Sequence, residues 1–162
     1  MGGSTHPDGA SRQFFGDEEW ARGLPVIGVL VVDDHEVVRL GIAELFACVE
    51  GFTVVGTAAD GSEAAATVQR LMPDVVLMDI SMPGMDGIAA TAAVLAVRPQ
   101  VRVVILSGAV TGPLVRGAHA AGVAGYQLKS ADPDDLIEAV RVVAAGRDAW
   151  CPQAVQALGG IR

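Results

Sequence analysis

Reactive polar side chains close several of the apolar segments of this sequence. The set consists of Asp33 and Asp34, Asp79, Ser107 and Lys129. Carboxylates gathered at one place repel one another and raise one another's pKa unless a cation lies among them. Mg²⁺ suits oxygen ligands and commonly accompanies a phosphoryl group. A lysine ammonium and a serine hydroxyl can bind the oxygens of such a group, so these residue types predict phosphoryl chemistry.

Five short, mostly apolar runs have the length of a buried strand, and four of them end at these side chains, whereas the run 52–58 does not. Between them lie segments with helical spacing of apolar residues or a high alanine content. The predicted strands are 26–32, 52–58, 75–79, 101–107 and 125–129. This alternation is typical of parallel βαβ units with helices on both faces of one sheet. We therefore predict a three-layer, doubly wound α/β fold with five parallel strands and five helices.

The carboxyl ends of parallel strands meet at one edge of the sheet, which is where such folds place their working residues. Each polar closure also has an ordinary explanation: Asp34 could cap a helix, Ser107 precedes a glycine as turn residues do, and Lys129 could be solvated. Those explanations leave open why all of these side chains would fall on the same edge. We therefore predict a single site built from them.

Composition limits the classes of protein that this chain could belong to. Its 162 residues are 51% hydrophobic and carry a net charge of −8, with ten Arg and only one Lys. That balance argues against a nucleic-acid-binding surface. No apolar run approaches the roughly 20 residues that span a bilayer, and the first residues do not form a secretory signal. Cys48 and Cys151 match no metal-binding spacing, so we expect both to be free thiols in a reducing compartment. Together with the lack of a spanning run and of a signal, this predicts a cytoplasmic protein without a membrane partner.

The chain divides by composition into three parts. Residues 1–24 are rich in Gly, Ser, Asp and Glu and predict a flexible tail, residues 25–146 predict the folded domain, and residues 147–162 predict the start of a linker.

Four segments resemble the receiver domain of two-component response regulators, over about residues 26–146. The spacings of 45, 28 and 22 residues from Asp34 through Asp79 and Ser107 to Lys129 fit that family. The resemblance implies a flavodoxin-like strand order, 2-1-3-4-5. The four segments are 31–36 (VVDDHE), 77–87 (LMDISMPGMDG), 106–109 (LSGA) and 121–129 (AGVAGYQLK).

Residues 33–36 and 129–136 further resemble the NarL/FixJ (LuxR-type) subfamily, whose members usually carry a C-terminal DNA-binding helix-turn-helix. This implies transcriptional control, although the residues after 146 leave no room for such a domain. We therefore expect either an excised receiver or a stand-alone regulator that acts through protein contacts, and no nucleic-acid binding by this chain itself.

The same resemblance implies a role for each site residue. Asp79 would accept the phosphoryl group of a phosphohistidine on a sensor histidine kinase and form an acyl phosphate. Asp34 and Asp79 would bind Mg²⁺ directly, the backbone carbonyl of Ser81 would be a third ligand, and Asp33 would bind through water. Lys129 would pair with Asp79 before transfer and with the phosphoryl group afterwards.

A conformational switch is also implied. Ser107 would move to the phosphoryl oxygen, and Tyr126 would change rotamer and fill the space that Ser107 leaves. The face formed by the fourth helix, fifth strand and fifth helix would then support a phosphorylation-dependent homodimer. Such a domain catalyses only its own phosphorylation and dephosphorylation, so we do not expect an enzyme acting on other substrates.

Three other classes of protein compete with this interpretation. A dinucleotide-binding or P-loop enzyme shares the layout, but no glycine-rich turn follows the first strand and no Gly-Lys-Ser/Thr occurs. A haloacid-dehalogenase-type phosphatase would carry two aspartates two residues apart after the first strand, whereas Asp33 and Asp34 are adjacent. The third is a receiver-like scaffold that binds partners without being phosphorylated; scaffolds of that kind usually lack one of the acidic, acceptor or lysine positions, which are all present here.

Overall fold

A parallel six-stranded sheet forms the centre of the computed structural model, which describes residues 25–159. The strands are ordered β2-β1-β3-β4-β5-β6, and all neighbouring pairs are parallel. The predicted α/β class and the order of the first five strands are thereby confirmed. The strands are β1 (Ile27–Val32), β2 (Phe52–Ala58), β3 (Val75–Asp79), β4 (Arg102–Ser107), β5 (Gly125–Leu128) and β6 (Ala149–Trp150).

Helices cover both faces of this sheet. Alternate residues of each central strand point to opposite faces, so Leu30 and Val32 of β1 enter one core while Val29 and Val31 enter the other. On the first face lie α2, α3, α4 and α6, and on the second lie α1 and α5. The helices are α1 (Glu36–Ala47), α2 (Gly61–Leu71), α3 (Gly87–Val97), α4 (Gly112–Ala121), α5 (Pro133–Ala144) and α6 (Pro152–Ala157).

Side-chain caps fix where several of these helices begin. Asp60 accepts a hydrogen bond from the Ser62 N–H at α2, and Asp86 accepts one from the Ala89 N–H at α3. Asp132 caps α5 in the same way, and Pro133 supplies the fixed φ of its first residue. The caps start each helix directly after the loop at the carboxyl edge of the sheet, so they also set the length of the loops that hold the site.

The segment after α5 differs from the sequence prediction. Residues 147–162 were predicted to begin a linker, but the structure pairs β6 with β5 and follows it with α6. The Ala149 N–H donates to the Ala124 carbonyl at 2.9 Å, and the Cys151 N–H donates to the Tyr126 carbonyl at 2.9 Å. Cys151 and Ala154 are buried in the first core. The described chain therefore has one strand and one helix more than the five of each that were predicted. The strand was missed because two residues are too few to show alternation.

Two other predictions concern the ends and the surroundings of the domain. The tail predicted for residues 1–24 lies outside the described residues. Among residues 25–159, no helix combines the length and the apolar character that crossing a bilayer requires. Cys48 and Cys151 are free thiols, the first exposed and the second buried.

Candidate functional site

Three aspartates meet at the carboxyl edge of the sheet, as the strand ends predicted. Asp33 and Asp34 follow β1, and Asp79 is the last residue of β3, its neighbour in the sheet. Only 1% of Asp33 and 2% of Asp79 is exposed. Together with His35, they offer one ligand atom each, and these atoms all lie within 4.8 Å of one another. Two almost completely buried carboxylates this close need a compensating cation.

Lys129 supplies one positive charge to this cluster. It follows β5, and its Nζ lies 3.0 Å from Asp33 Oδ2 and 3.1 Å from Asp79 Oδ1. Burial opposes the charge on Lys129, but the hydrogen bonds and charges of Asp33 and Asp79 outweigh that effect and raise the pKa of Lys129. Lys129 is therefore the protonated partner of two carboxylates at neutral pH.

The surroundings of Asp79 disfavour its charged form. Burial raises the pKa of Asp79 above its usual range, the hydrogen bond from Lys129 opposes that rise, and the charge of Asp33 adds to it. Asp79 Oδ1 accepts from the Ser81 N–H at 3.3 Å as well as contacting Lys129. The buried atom Asp79 Oδ2 has neither a hydrogen bond nor an ion pair within the described chain. This atom is therefore available to a metal ion or an electrophile.

The remaining carboxylate oxygens also fit a hard cation. Asp33 Oδ2 and Asp34 Oδ1 are also buried, the first 3.0 Å from Lys129 Nζ and the second 3.2 Å from His35 Nδ1. Carboxylate oxygens clustered within a few ångströms, with Asp79 Oδ2 unpartnered among the described residues, form the kind of oxygen donor set that Mg²⁺ prefers. The residues present therefore fit this ion.

The loop after β3 holds Asp79 in place through a close backbone approach. Gly87 starts α3, and its N–H donates to the Ile80 carbonyl at 3.0 Å. A Cβ on Gly87 would overlap the Asp79 carbonyl oxygen and would come within 2.8 Å of Ile80 Cα. Gly84, in the same loop, has φ +79°, a conformation that favours glycine. Only glycine at position 87 lets α3 start this close to the aspartate.

Ser107 and Tyr126 meet at one backbone carbonyl beside the site. The Ser107 hydroxyl donates to the Ala109 carbonyl at 2.7 Å, and the Tyr126 hydroxyl donates to the same oxygen at 2.8 Å. Tyr126 has no exposed surface, and burial raises its pKa, with the nearby Ser107 hydroxyl opposing the rise. The structure thus brings the two predicted switch residues together through Ala109. The predicted movement of either side chain stays a prediction.

Besides the Lys129–Asp33 ion pair, three contacts of this region were not predicted from the sequence. His35 touches Asp33 and Asp34, Arg39 Nη1 donates to the Asp33 carbonyl at 2.8 Å, and Trp150 lies against Tyr126. His35 could have been found, because it immediately follows the two aspartates in sequence. The other two depend on the start of α1 and on β6, and no sequence pattern indicates them.

A sheet of this order, with an acidic pair after β1, a buried carboxylate ending β3 and a lysine after β5, defines a receiver-type signalling domain. Comparison with known proteins agrees: the model of the response regulator receiver domain matches residues 29–141. The chain belongs to that family.

Two response regulators illustrate the sequence similarity. The chain is 41% identical over 133 residues to response regulator GacA of Pseudomonas aeruginosa, and 39% identical over 127 residues to response regulator protein VraR of Staphylococcus aureus. The matches cover 82% and 78% of this chain but only 62% and 61% of those proteins. The chain thus spans a little under two thirds of the length of these relatives.

Solved structures share the fold over most of the chain. A two-component response regulator of the LuxR family from Aurantimonas sp. SI85-9A1 is 34% identical with a TM-score of 0.78, covering 83% of this chain and 96% of that one. The signal receiver domain of the putative response regulator NarL from Mycobacterium tuberculosis is 35% identical with a TM-score of 0.72, covering 76% and 99%.

Proposed function

We propose that this domain accepts a phosphoryl group on Asp79 from a phosphohistidine of a sensor histidine kinase. The observation that carries the proposal is the unequal use of the two Asp79 oxygens. Oδ1 contacts Lys129 and the Ser81 N–H, whereas Oδ2 is buried without a partner. One oxygen is thus held by donors while the other can attack phosphorus, and the product is an acyl phosphate.

Lys129 has a second task in this reaction. Its ammonium already lies 3.1 Å from Asp79 Oδ1, so a phosphoryl group on Asp79 would place negative oxygen atoms beside a fixed positive charge. A charge positioned in advance stabilises the transferring group without reorganisation of the site. Lys129 would therefore exchange part of its contact with Asp79 for the phosphoryl oxygens.

Mg²⁺ is the proposed cofactor. Asp34 and Asp79 would bind it directly, the Ser81 backbone carbonyl would be a third ligand, and Asp33 would bind through water. The clustering of the three carboxylates and the unpartnered Asp79 Oδ2 support this assignment. When bound, the ion neutralises charge on the phosphoryl oxygens and orients them.

The proposed output is a change of surface governed by Ser107 and Tyr126. If Ser107 turns to a phosphoryl oxygen, the Ala109 carbonyl loses one of its two hydrogen bonds, and Tyr126 would then change rotamer and fill the space that Ser107 leaves. The balance between two arrangements of this region would shift, and the surface around α4, β5 and α5 would shift with it. We propose that this surface then forms a homodimer.

We further propose that the domain belongs to the NarL/FixJ subfamily and works in a cytoplasmic transcriptional regulator. The sequence segments 33–36 and 129–136 and the similarity to a LuxR-family regulator and to NarL support this assignment. In such a regulator, a DNA-binding domain elsewhere in a longer protein would bind the nucleic acid.

Acetyl phosphate with Mg²⁺, followed by intact-mass measurement, tests the central proposal. We expect the wild-type chain to gain one phosphoryl group and Asp79→Asn to gain none. Asp148→Asn is the matched control, because Asp148 is exposed and far along the chain from the site, and it should gain the group like the wild type. No gain with acetyl phosphate or any other phosphoryl donor would instead favour the scaffold that binds partners without phosphorylation.

A further inference from the structure

His35 lies inside the acidic cluster, yet the proposed function gives it no role. Its Nδ1 lies 3.2 Å from Asp33 Oδ1 and 3.2 Å from Asp34 Oδ1. A ring nitrogen this close to two carboxylate oxygens can bind the same cation as those oxygens. With Asp79, the three residues offer four ligand atoms within 4.8 Å of one another.

The backbone holds the imidazole at this position. His35 is the residue that precedes α1; its N–H donates to Asp33 Oδ1 at 2.8 Å, and its carbonyl accepts from the Arg39 N–H at 2.8 Å. Both bonds fix the main chain from which the ring projects. The side chain is 63% exposed, so an ion from solvent can reach the ring. His35 is therefore both positioned and accessible.

Asp79 gives an independent indication that this cluster takes a ligand. Its side chain is 2% exposed, and its Oδ2 has no hydrogen-bond partner among residues 25–159. Burying such an oxygen without a partner costs free energy that a bound cation would recover. The carboxylates alone would give a set of oxygen ligands, whereas His35 adds a nitrogen.

We propose that His35 Nδ1 is a metal ligand of this site and that it favours first-row transition ions over Mg²⁺. This inference rests on the proposed function only in taking Asp34 and Asp79 as metal ligands. Imidazole nitrogen suits ions such as Ni²⁺, whereas Mg²⁺ prefers oxygen atoms. The neutral ring binds through the Nδ1 lone pair and carries its proton on Nε2. The site would therefore bind Ni²⁺ more tightly than an all-oxygen site could.

Calorimetric titration with Ni²⁺ and, separately, with Mg²⁺ measures this preference. We expect His35→Gln to lower the affinity for Ni²⁺ by roughly tenfold or more, a loss typical of groups that support metal sites. The affinity for Mg²⁺ should change far less. His119→Gln is the matched control, because His119 lies in the last turn of α4 and outside the acidic cluster. It should bind both ions like the wild type.

Proton NMR of the Ni²⁺-loaded protein adds a readout of the bond itself. A metal-bound imidazole gives a strongly shifted, exchangeable N–H signal, and we expect one such signal to be missing in His35→Gln and retained in His119→Gln. Equal Ni²⁺ affinity in the wild type and His35→Gln, equal losses for both ions, or persistence of the signal would each overturn the proposal. Phosphoryl gain by the wild-type chain with Mg²⁺ is measured separately, so failure of nickel ligation and failure of the proposed function give different results.

Discussion

The Trp150 ring stacks on the Tyr126 ring, with centroids 6.3 Å apart and planes inclined by only 14°. The His119 ring of α4 also packs against Trp150, with ring centroids 5.7 Å apart. Trp150 belongs to β6, and the next residue, Cys151, donates its N–H to the Tyr126 carbonyl. The chain segment that follows α5 is thus attached to the tyrosine proposed to sense phosphorylation.

Replacing Trp150 by Ala should destabilise the domain. The change removes the stack on Tyr126 and leaves a cavity between α4 and the sheet edge. Because Trp150 is only partly buried, we expect the free energy of unfolding to fall by about 2 kcal/mol. Urea unfolding measures it. Trp150→Phe keeps an aromatic ring and should recover at least half of the loss. An Ala variant as stable as the wild type would show that the Trp150 side chain adds nothing to the stability of the domain.

Replacing Lys129 by Ala should slow phosphoryl transfer from acetyl phosphate by about 100-fold, the usual cost of losing one donor that faces developing charge. The rate of mass gain measures the effect. Arg70→Ala removes an exposed positive charge in the last turn of α2 and is the matched control. A Lys129→Ala rate within threefold of the control would contradict the assigned role.

Asp79→Asn should stabilise the metal-free domain by about 1 kcal/mol at pH 7, because it removes a buried negative charge that is kept for function. The pKa of Asp79 is raised above 3.8, so the folded state holds this proton more tightly than the unfolded state. Wild-type stability therefore falls as the pH rises from near 3.8 through the folded pKa, and it stays lowered above it.

Urea unfolding of both proteins across that pH range, with chelator present, checks the sign. The difference in the free energy of unfolding between Asp79→Asn and the wild type should increase as the pH rises and then become constant. An advantage that is largest below pH 3.8 would mean that burial does not dominate the titration of Asp79.

Gly87→Ala should cost about 3 kcal/mol, the upper part of the range for overpacking, because its Cβ would collide with main-chain atoms of Asp79 and Ile80. Thermal unfolding measures the loss. Gly41→Ala is the matched control: it lies within α1 with no heavy atom within 4 Å of the added Cβ, and it should stabilise by roughly 0.5–1 kcal/mol. If both substitutions behaved alike, the close approach of α3 would not matter.

Beryllofluoride with Mg²⁺, which mimics the phosphorylated carboxylate, should shift sedimentation of the wild-type chain from monomer to dimer. Asp79→Asn should remain unchanged under the same conditions. Sedimentation that is constant over a wide range of protein concentration would contradict the dimer switch while leaving phosphorylation of Asp79 untouched.

The sequence predicted the parts of the site that follow from strand ends. Asp33, Asp79 and Lys129 each close or follow an apolar run, and parallel strands must bring their carboxyl ends to one edge, so one rule predicted that these residues would lie together. The Lys129–Asp79 ion pair was expected only from the family resemblance, and the Lys129–Asp33 ion pair was not predicted. The fold class followed from the same alternation. These features depend on local sequence patterns, which can be recognised without knowing how the elements pack.

The features that the sequence did not predict depend on pairing or on backbone atoms. β6 has two residues, too few for a period-2 pattern, and its place beside β5 fixes Trp150 over Tyr126. The common partner of Ser107 and Tyr126 is a main-chain carbonyl, which carries no signal in the residue types.

That carbonyl has an implication for how this protein can vary. Because Ser107 and Tyr126 are joined through the main-chain oxygen of Ala109, the methyl group at position 109 takes no part in the connection. Many other amino acids would be interchangeable there without severing the two hydroxyls from their common acceptor. Aligning side chains across relatives would therefore overlook this junction, however strictly its geometry is preserved.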